Sequence, residues 1–178
     1  DFLKKVRALA TDRGAVLIFD ECTSGFRETF GGIHKIYGVE PDIAMFGKAM
    51  GNGYAITATI GRREVMEAAQ SSFISSTFWT ERIGSCAALK ALEVMEREKS
   101  WDIVTSIGGA MKTKWQLLAD KFGLGITHFG INALAGFSFD SSNSLKYKTF
   151  ITQEMLKKNF LASNAFFVST KHTTKILN

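Results

Sequence analysis

The 178-residue chain is 46% hydrophobic, 22% charged and 12% aromatic, with sixteen Gly, one Pro and two Cys. That length buries a core in one ordinary domain or two small ones, and the near-average composition excludes a disordered, collagen-like or disulfide-scaffold protein. The net charge of +5 arises in residues 101–178, nine basic against four acidic, whereas residues 1–100 balance thirteen against thirteen.

From the N-terminus, Phe2, Leu3, Val6 and Leu9 fall at helical spacing, and Gly14 closes that helix. The apolar run Ala15–Phe19 predicts a strand buried on both faces of a parallel sheet, ending at Asp20-Glu21. A glycine-rich connection carries Gly25, Gly31, Gly32 and Gly38, and Pro41 precedes a second buried run, Ile43–Phe46. Ala55–Ile60 reads as a third strand and Arg62–Gln70 as a helix. Helices are expected over Gly84–Lys99, with Ala87, Ala88, Ala91, Leu92 and Met95 inward, and over Trp101–Phe122. The texture then changes: Ala133–Asp140 alternates like a half-buried strand, Thr152–Asn159 is helical, and Ala165–Val168 is a last short strand. An α/β part over residues 1–98 followed by a smaller α+β part over 99–178 is the expected organisation. The first residue is Asp1, already inside a helical pattern, so the chain is expected to be a piece, with the stretch 165–178 lacking a final helix.

The basic excess is scattered and not interleaved with aromatics, which describes a solvated face; no nucleic-acid partner is expected. No apolar run matches a membrane span and no leader pattern opens the chain, so no membrane partner is expected either. Cys22 and Cys86 make no disulfide framework and no metal-ligand spacing is present, which fits a reducing, cytoplasmic compartment.

Three positions carry candidate chemistry. Asp20-Glu21 stands at the carboxyl end of a buried strand, the edge where open α/β sheets bind ligands. A carboxylate there holds a cation, fixes a protonated ring nitrogen or acts as a base; equally, an acidic pair can simply end the strand. An apolar strand ending in Asp-Glu also matches the metal and water pair of a P-loop ATPase, although Phe46-Gly47-Lys48-Ala49 lacks the spacing and hydroxyl of the partner loop. Lys48 directly follows the second buried run and precedes Gly51-Asn52-Gly53, a setting that predicts a partly desolvated amine usable as a nucleophile toward aldehydes. Ser75-Ser76-Thr77 offers hydroxyls for a phosphate, or for capping the next helix.

Phe19-Asp20-Glu21-Cys22-Thr23-Ser24-Gly25-Phe26-Arg27, then Tyr37–Asp42, then Gly47-Lys48-Ala49-Met50-Gly51-Asn52-Gly53, occur in order and together resemble the class III aminotransferases. Phe73–Gly84 is most similar to glutamate-1-semialdehyde aminomutase-like members. The resemblance implies part of a fold type I large domain, a mostly parallel sheet with helices, over 1–98, and most of a small C-terminal domain over 99–178. It implies pyridoxal 5′-phosphate as cofactor, a small-molecule amino donor and carbonyl acceptor, and a homodimer with shared active sites. By the same resemblance Lys48 forms the Schiff base and moves the substrate proton, and Asp20 pairs with the pyridine nitrogen. Cys22 stands where a small apolar residue packs on the ring, and Thr77 where a threonine reaches the phosphate held by the neighbouring subunit. Thr80-Glu81-Arg82 departs from the Gly-Asn-Pro often found after that threonine. A non-catalytic dimerisation remnant is the remaining alternative for a chain of this length.

Overall fold

The computed structural model describes residues 2–177 and divides into two compact units, Asp1–Lys99 and Ser100–Asn178. In the first unit, helix α1 (Phe2–Asp12) leads into strand β1 (Ile18–Asp20), a short helix α2 (His34–Tyr37) and strand β2 (Ile43–Phe46). A 3-10 turn (Lys48–Met50), strand β3 (Ala58–Gly61), helix α3 (Arg63–Met66), a second 3-10 segment (Glu67–Ser71) and helix α4 (Ile83–Glu98) complete it. β1 and β2 pair in parallel, with Ile18 opposite Ile43 and Asp20 opposite Met45. β3 runs antiparallel to β2, from Phe46 opposite Ala58 to Ile43 opposite Gly61.

The apolar runs nucleate these strands, but β1 is shorter and less covered than its composition predicts. It is the edge of the order β1-β2-β3, so Val16 is 50% and Ile18 51% exposed instead of buried on both faces. β2 holds the centre. Its Ala44 and Phe46 form a core with Met50 and Ala88, against which Phe26, Ile56 and Ala58 pack. Burying a side chain such as Phe46 contributes about 1.5–3 kcal/mol. On α4, Ala88 is buried and Ala87, Ala91, Leu92 and Met95 are half-buried, the stripe that periodicity predicts.

The second unit holds helix α5 (Ser100–Lys121), strand β4 (Ile126–Phe129), strand β5 (Leu134–Phe139), helix α6 (Ser144–Lys157), strand β6 (Ala165–Phe167) and helix α7 (Thr174–Leu177). Its sheet is antiparallel in the order β4-β5-β6. Val104, Ala133 and Val168 make its core with Ile107, Ile131 and Phe166. Trp115 packs on Phe137 with ring centroids 4.9 Å apart. Three features here depart from the sequence reading. β4 is unforeseen, α6 starts eight residues before Thr152, and a turn of helix comes after β6 where none is expected; Asn178 lies outside the described residues.

Asp42 ties the first unit together. Its carboxylate, nearly buried, accepts the Leu17 N–H at 2.8 Å, Arg7 at 2.7 Å and Arg62 at 2.9 Å. These bonds, the Leu17 amide first and the two guanidinium groups after it, hold the carboxyl well below the usual carboxylate range. A depressed folded value means that the stabilisation is complete above the unfolded value, about pH 4, and drains as pH falls toward the folded one. Asp42→Asn is therefore expected to lower the unfolding midpoint at neutral pH by about 3–6 °C. In a calorimetric pH series the gap to the unsubstituted chain should narrow below about pH 4; a gap constant down to the acid limit contradicts this role.

Candidate active site

The parallel register sets Asp20, the last residue of β1, opposite Met45, three residues before Lys48. The chain then leaves the sheet in the 3-10 turn and Lys48 takes a positive φ of 44°, outside the normal right-handed region. Its Nζ donates to Thr23 Oγ1 at 2.5 Å. Lys48 and Asp20 are both exposed, so the partial desolvation expected of the lysine is not provided by the described residues. The 3-10 turn lifts the side chain beyond the strand end, and Thr23 is the partner it meets there.

Asp20 and Glu21 are adjacent in sequence and opposite in fate. Asp20 Oδ1 accepts the Cys22 N–H at 3.0 Å. That bond, with the Cys22 side chain and then the Lys48 charge, keeps the Asp20 carboxyl below its ordinary value, so it is ionised at neutral pH. Glu21 is instead 2% exposed and bonded inward. Its two oxygens receive the Ser24 hydroxyl at 3.0 Å, the Ile33 N–H at 2.6 Å, the His34 N–H at 3.0 Å and His34 Nδ1–H at 2.7 Å. Burial pushes this carboxyl up, and the four bonds outweigh burial and hold it down. Every Glu21 oxygen is thus committed to the loop, which removes it from the metal and water pair that the P-loop alternative requires.

That loop, residues 22–33, is shaped for close approach. A Cβ at Gly25 would stand 2.6 Å from the Phe46 ring and 2.7 Å from the Glu21 carbonyl oxygen, so only glycine fits there. Phe26 packs on Phe46 with centroids 5.3 Å apart, and Arg27 Nε donates to the Thr23 carbonyl at 2.6 Å. On the Lys48 side, a Cβ at Gly51 would collide with the Tyr54 carbonyl oxygen and the Ile56 side chain. Cys22 lies between the two strand ends, half-buried, its thiol pushed up first by burial and then by Asp20; its Sγ is 3.5 Å from the place a Cβ on Gly47 would occupy.

Lys48, Asp20 and Cys22 are therefore assembled at one end of the sheet. Thr77 is not among them. It lies in the exposed turn 77–80, and among the described residues no hydrogen bond or ion pair joins it to the other three. Nor do Ser75-Ser76-Thr77 cap α4: the helix begins at Ile83, Arg82 occupies its cap, and no side chain bonds there. Thr23 is the site residue without a role in the sequence reading; its one signal was its place inside the run Phe19–Arg27.

Comparisons with known proteins identify the family and the fold. The family described as aminotransferase class III matches residues 1–152. The chain is 37% identical to 3-aminobutyryl-CoA aminotransferase of Cloacimonas acidaminovorans (strain Evry) over 153 residues, 85% of this chain and 37% of that protein. It is 30% identical to glutamate-1-semialdehyde 2,1-aminomutase of Neisseria meningitidis serogroup B (strain ATCC BAA-335 / MC58) over 195 residues, 99% of this chain and 45% of that one. The FumI protein of Sphingopyxis sp. MTA144, solved in a PLP internal aldimine form, superposes with a TM-score of 0.91 at 23% identity, covering 99% of this chain and 43% of that one. The fold is that of the fold type I transaminases. The chain spans less than half the length of these relatives.

The Glu21 network has a measurable consequence. Glu21→Ala removes the shared acceptor of the half-buried Ile33 amide, the buried His34 amide and the His34 ring, and is expected to destabilise the first unit by about 1–3 kcal/mol. Amide exchange at Ile33 and His34 should accelerate along with it. Unchanged protection at those two amides shows that Glu21 does not hold the loop.

Proposed function

The chain belongs to the class III aminotransferases, and from that premise we propose that it carries the lysine-bearing part of a pyridoxal 5′-phosphate enzyme. The enzyme transfers an amino group between a small-molecule amine and a carbonyl acceptor, as a transaminase or an aminomutase. Residues 1–98 are then the second half of the cofactor domain and 99–178 the small C-terminal domain. The observation that carries this reading is the placement of an ionised Asp20 and the Lys48 amine at the carboxyl ends of two parallel-paired strands.

The residues present fit the cofactor. A flat aromatic ring needs a carboxylate at one end, an amine at the other and small groups beneath it. Asp20, Lys48 and the half-buried Cys22 supply these from adjacent strand ends, with glycine at 47 and 51. When bound, the cofactor supplies an electron sink for the substrate carbon that bears the amine. Asp20 holds a proton on the ring nitrogen, since a carboxylate beside that nitrogen raises its affinity for the proton. Lys48 Nζ would hold the cofactor, and as a general base it would move a proton at the substrate carbon. Cys22 packs against the ring face and orients it. Thr77 reaches a phosphate across a homodimer interface with shared sites, a role supported by the family resemblance of Phe73–Gly84. The unpaired cysteines Cys22 and Cys86 accord with a cytoplasmic location. Among the described residues no helix is long and apolar enough to cross a membrane.

Borohydride reduction of the full-length enzyme loaded with pyridoxal 5′-phosphate should fix the cofactor on Lys48, located by peptide mass mapping. An adduct on a different lysine, or none, overturns the assignment. Asp20→Asn should still be trapped in this way, yet lose about a hundredfold or more in turnover; undiminished turnover shows that Asp20 does not hold the ring nitrogen.

A further inference from the structure

We propose that Thr23 is a positioning residue for the Lys48 amine: its hydroxyl aims Nζ at the cofactor carbonyl and keeps hold of it whichever way it is protonated. The inference rests on the reading of Lys48 as the cofactor-binding lysine and assigns a function to a residue outside the proposed set.

The contact itself is short and direct, Nζ to Oγ1 at 2.5 Å. Among the described residues it is the hydrogen bond that fixes the amine. A free lysine side chain has many rotamers open to it, and Lys48 is exposed, so packing alone does not choose its direction. The backbone makes part of the choice. Lys48 sits at φ 44°, a conformation costly for a residue with a Cβ, and this turns the side chain away from the strand path. The hydroxyl makes the rest.

Thr23 can do so because the atoms around it are already fixed. The Cys22 N–H before it is bound to Asp20, and its own carbonyl accepts Arg27 Nε at 2.6 Å. Ser24 after it is bound to Glu21, and the Gly25 N–H donates to the Glu21 carbonyl at 2.8 Å. The hydroxyl is the group the residue has left to offer Lys48, and its β-branched side chain restricts where that hydroxyl can stand.

The choice of a hydroxyl also matters chemically. A carboxylate would serve only the ammonium form. A hydroxyl accepts from the ammonium and donates to the neutral amine, so the amine keeps a partner before and after it gives up its proton.

The test uses the full-length apoenzyme with Thr23→Val, which keeps the shape and removes the hydroxyl, and Thr23→Ser, which keeps the hydroxyl. Two readouts are taken: the stopped-flow rate at which added pyridoxal 5′-phosphate becomes covalently attached, and the equilibrium affinity for deoxypyridoxine phosphate, an analogue without the aldehyde. Thr23→Val is expected to slow attachment about tenfold, the loss of one such hydrogen bond, with analogue affinity unchanged within about twofold. Thr23→Ser should restore most of the rate. Attachment at the unsubstituted rate in Thr23→Val, equal losses of rate and analogue affinity, or a serine variant as slow as the valine one each overturns this proposal alone. Failure of the unsubstituted enzyme to attach the cofactor overturns the functional reading and this proposal with it.

Discussion

The parallel, in-register pairing of β1 with β2 is the constraint on which the rest of the site depends. Asp20 lies opposite Met45, so the strands finish within one residue of each other and their outgoing segments are delivered to one place. β1 hands the chain to the loop with Cys22 and Thr23, and β2 hands it to the turn with Lys48. A slip of one residue would turn the side chains of β1 to the opposite face of the sheet. The core then holds that register: Phe46 is anchored between Phe26 from the loop and Ala88 from α4. Packing under the sheet and chemistry at its end are thus set by the same strand.

Around that constraint the acidic residues divide their labour. Glu21 and Asp42 are nearly buried, and each spends its oxygens on backbone amides and side-chain donors, which is how a buried carboxylate avoids the cost of desolvation. Glu21 folds the loop and Asp42 fastens α1 and the β3–α3 connection to β2. Asp20, one residue from Glu21, remains exposed and ionised, with a single backbone bond and the Lys48 charge near it. Two structural carboxylates free the third for a ligand.

Much of the fold is legible in local pattern. Ile43–Phe46 is apolar and becomes the central strand; the alanine stripe of α4 lies where its period puts it. The features that pattern misses are decided by neighbours in space. β1 keeps three residues because one partner strand is present to pair with it. β4 is a weakly apolar tetrapeptide that becomes a strand by pairing with β5, and α6 opens with Ser, Leu, Lys and Tyr, a mixed run whose apolar face is too thin to announce a helix. At the site, resemblance picks out Asp20, Lys48 and Cys22, and the strand register brings them together. The separate fates of Asp20 and Glu21 are invisible in sequence, because partners twelve and thirteen residues away create them. The Thr23 contact spans twenty-five positions and leaves no local trace.

The central claim is that one ligand lies between the Asp20 carboxylate and the Lys48 amine. A crystal structure of the full-length protein grown with pyridoxal 5′-phosphate measures this directly. The account predicts continuous density from Lys48 Nζ into the cofactor, with the ring nitrogen about 2.7–2.9 Å from the Asp20 carboxylate. A cofactor joined to another lysine, or a ring nitrogen facing a different group, contradicts it.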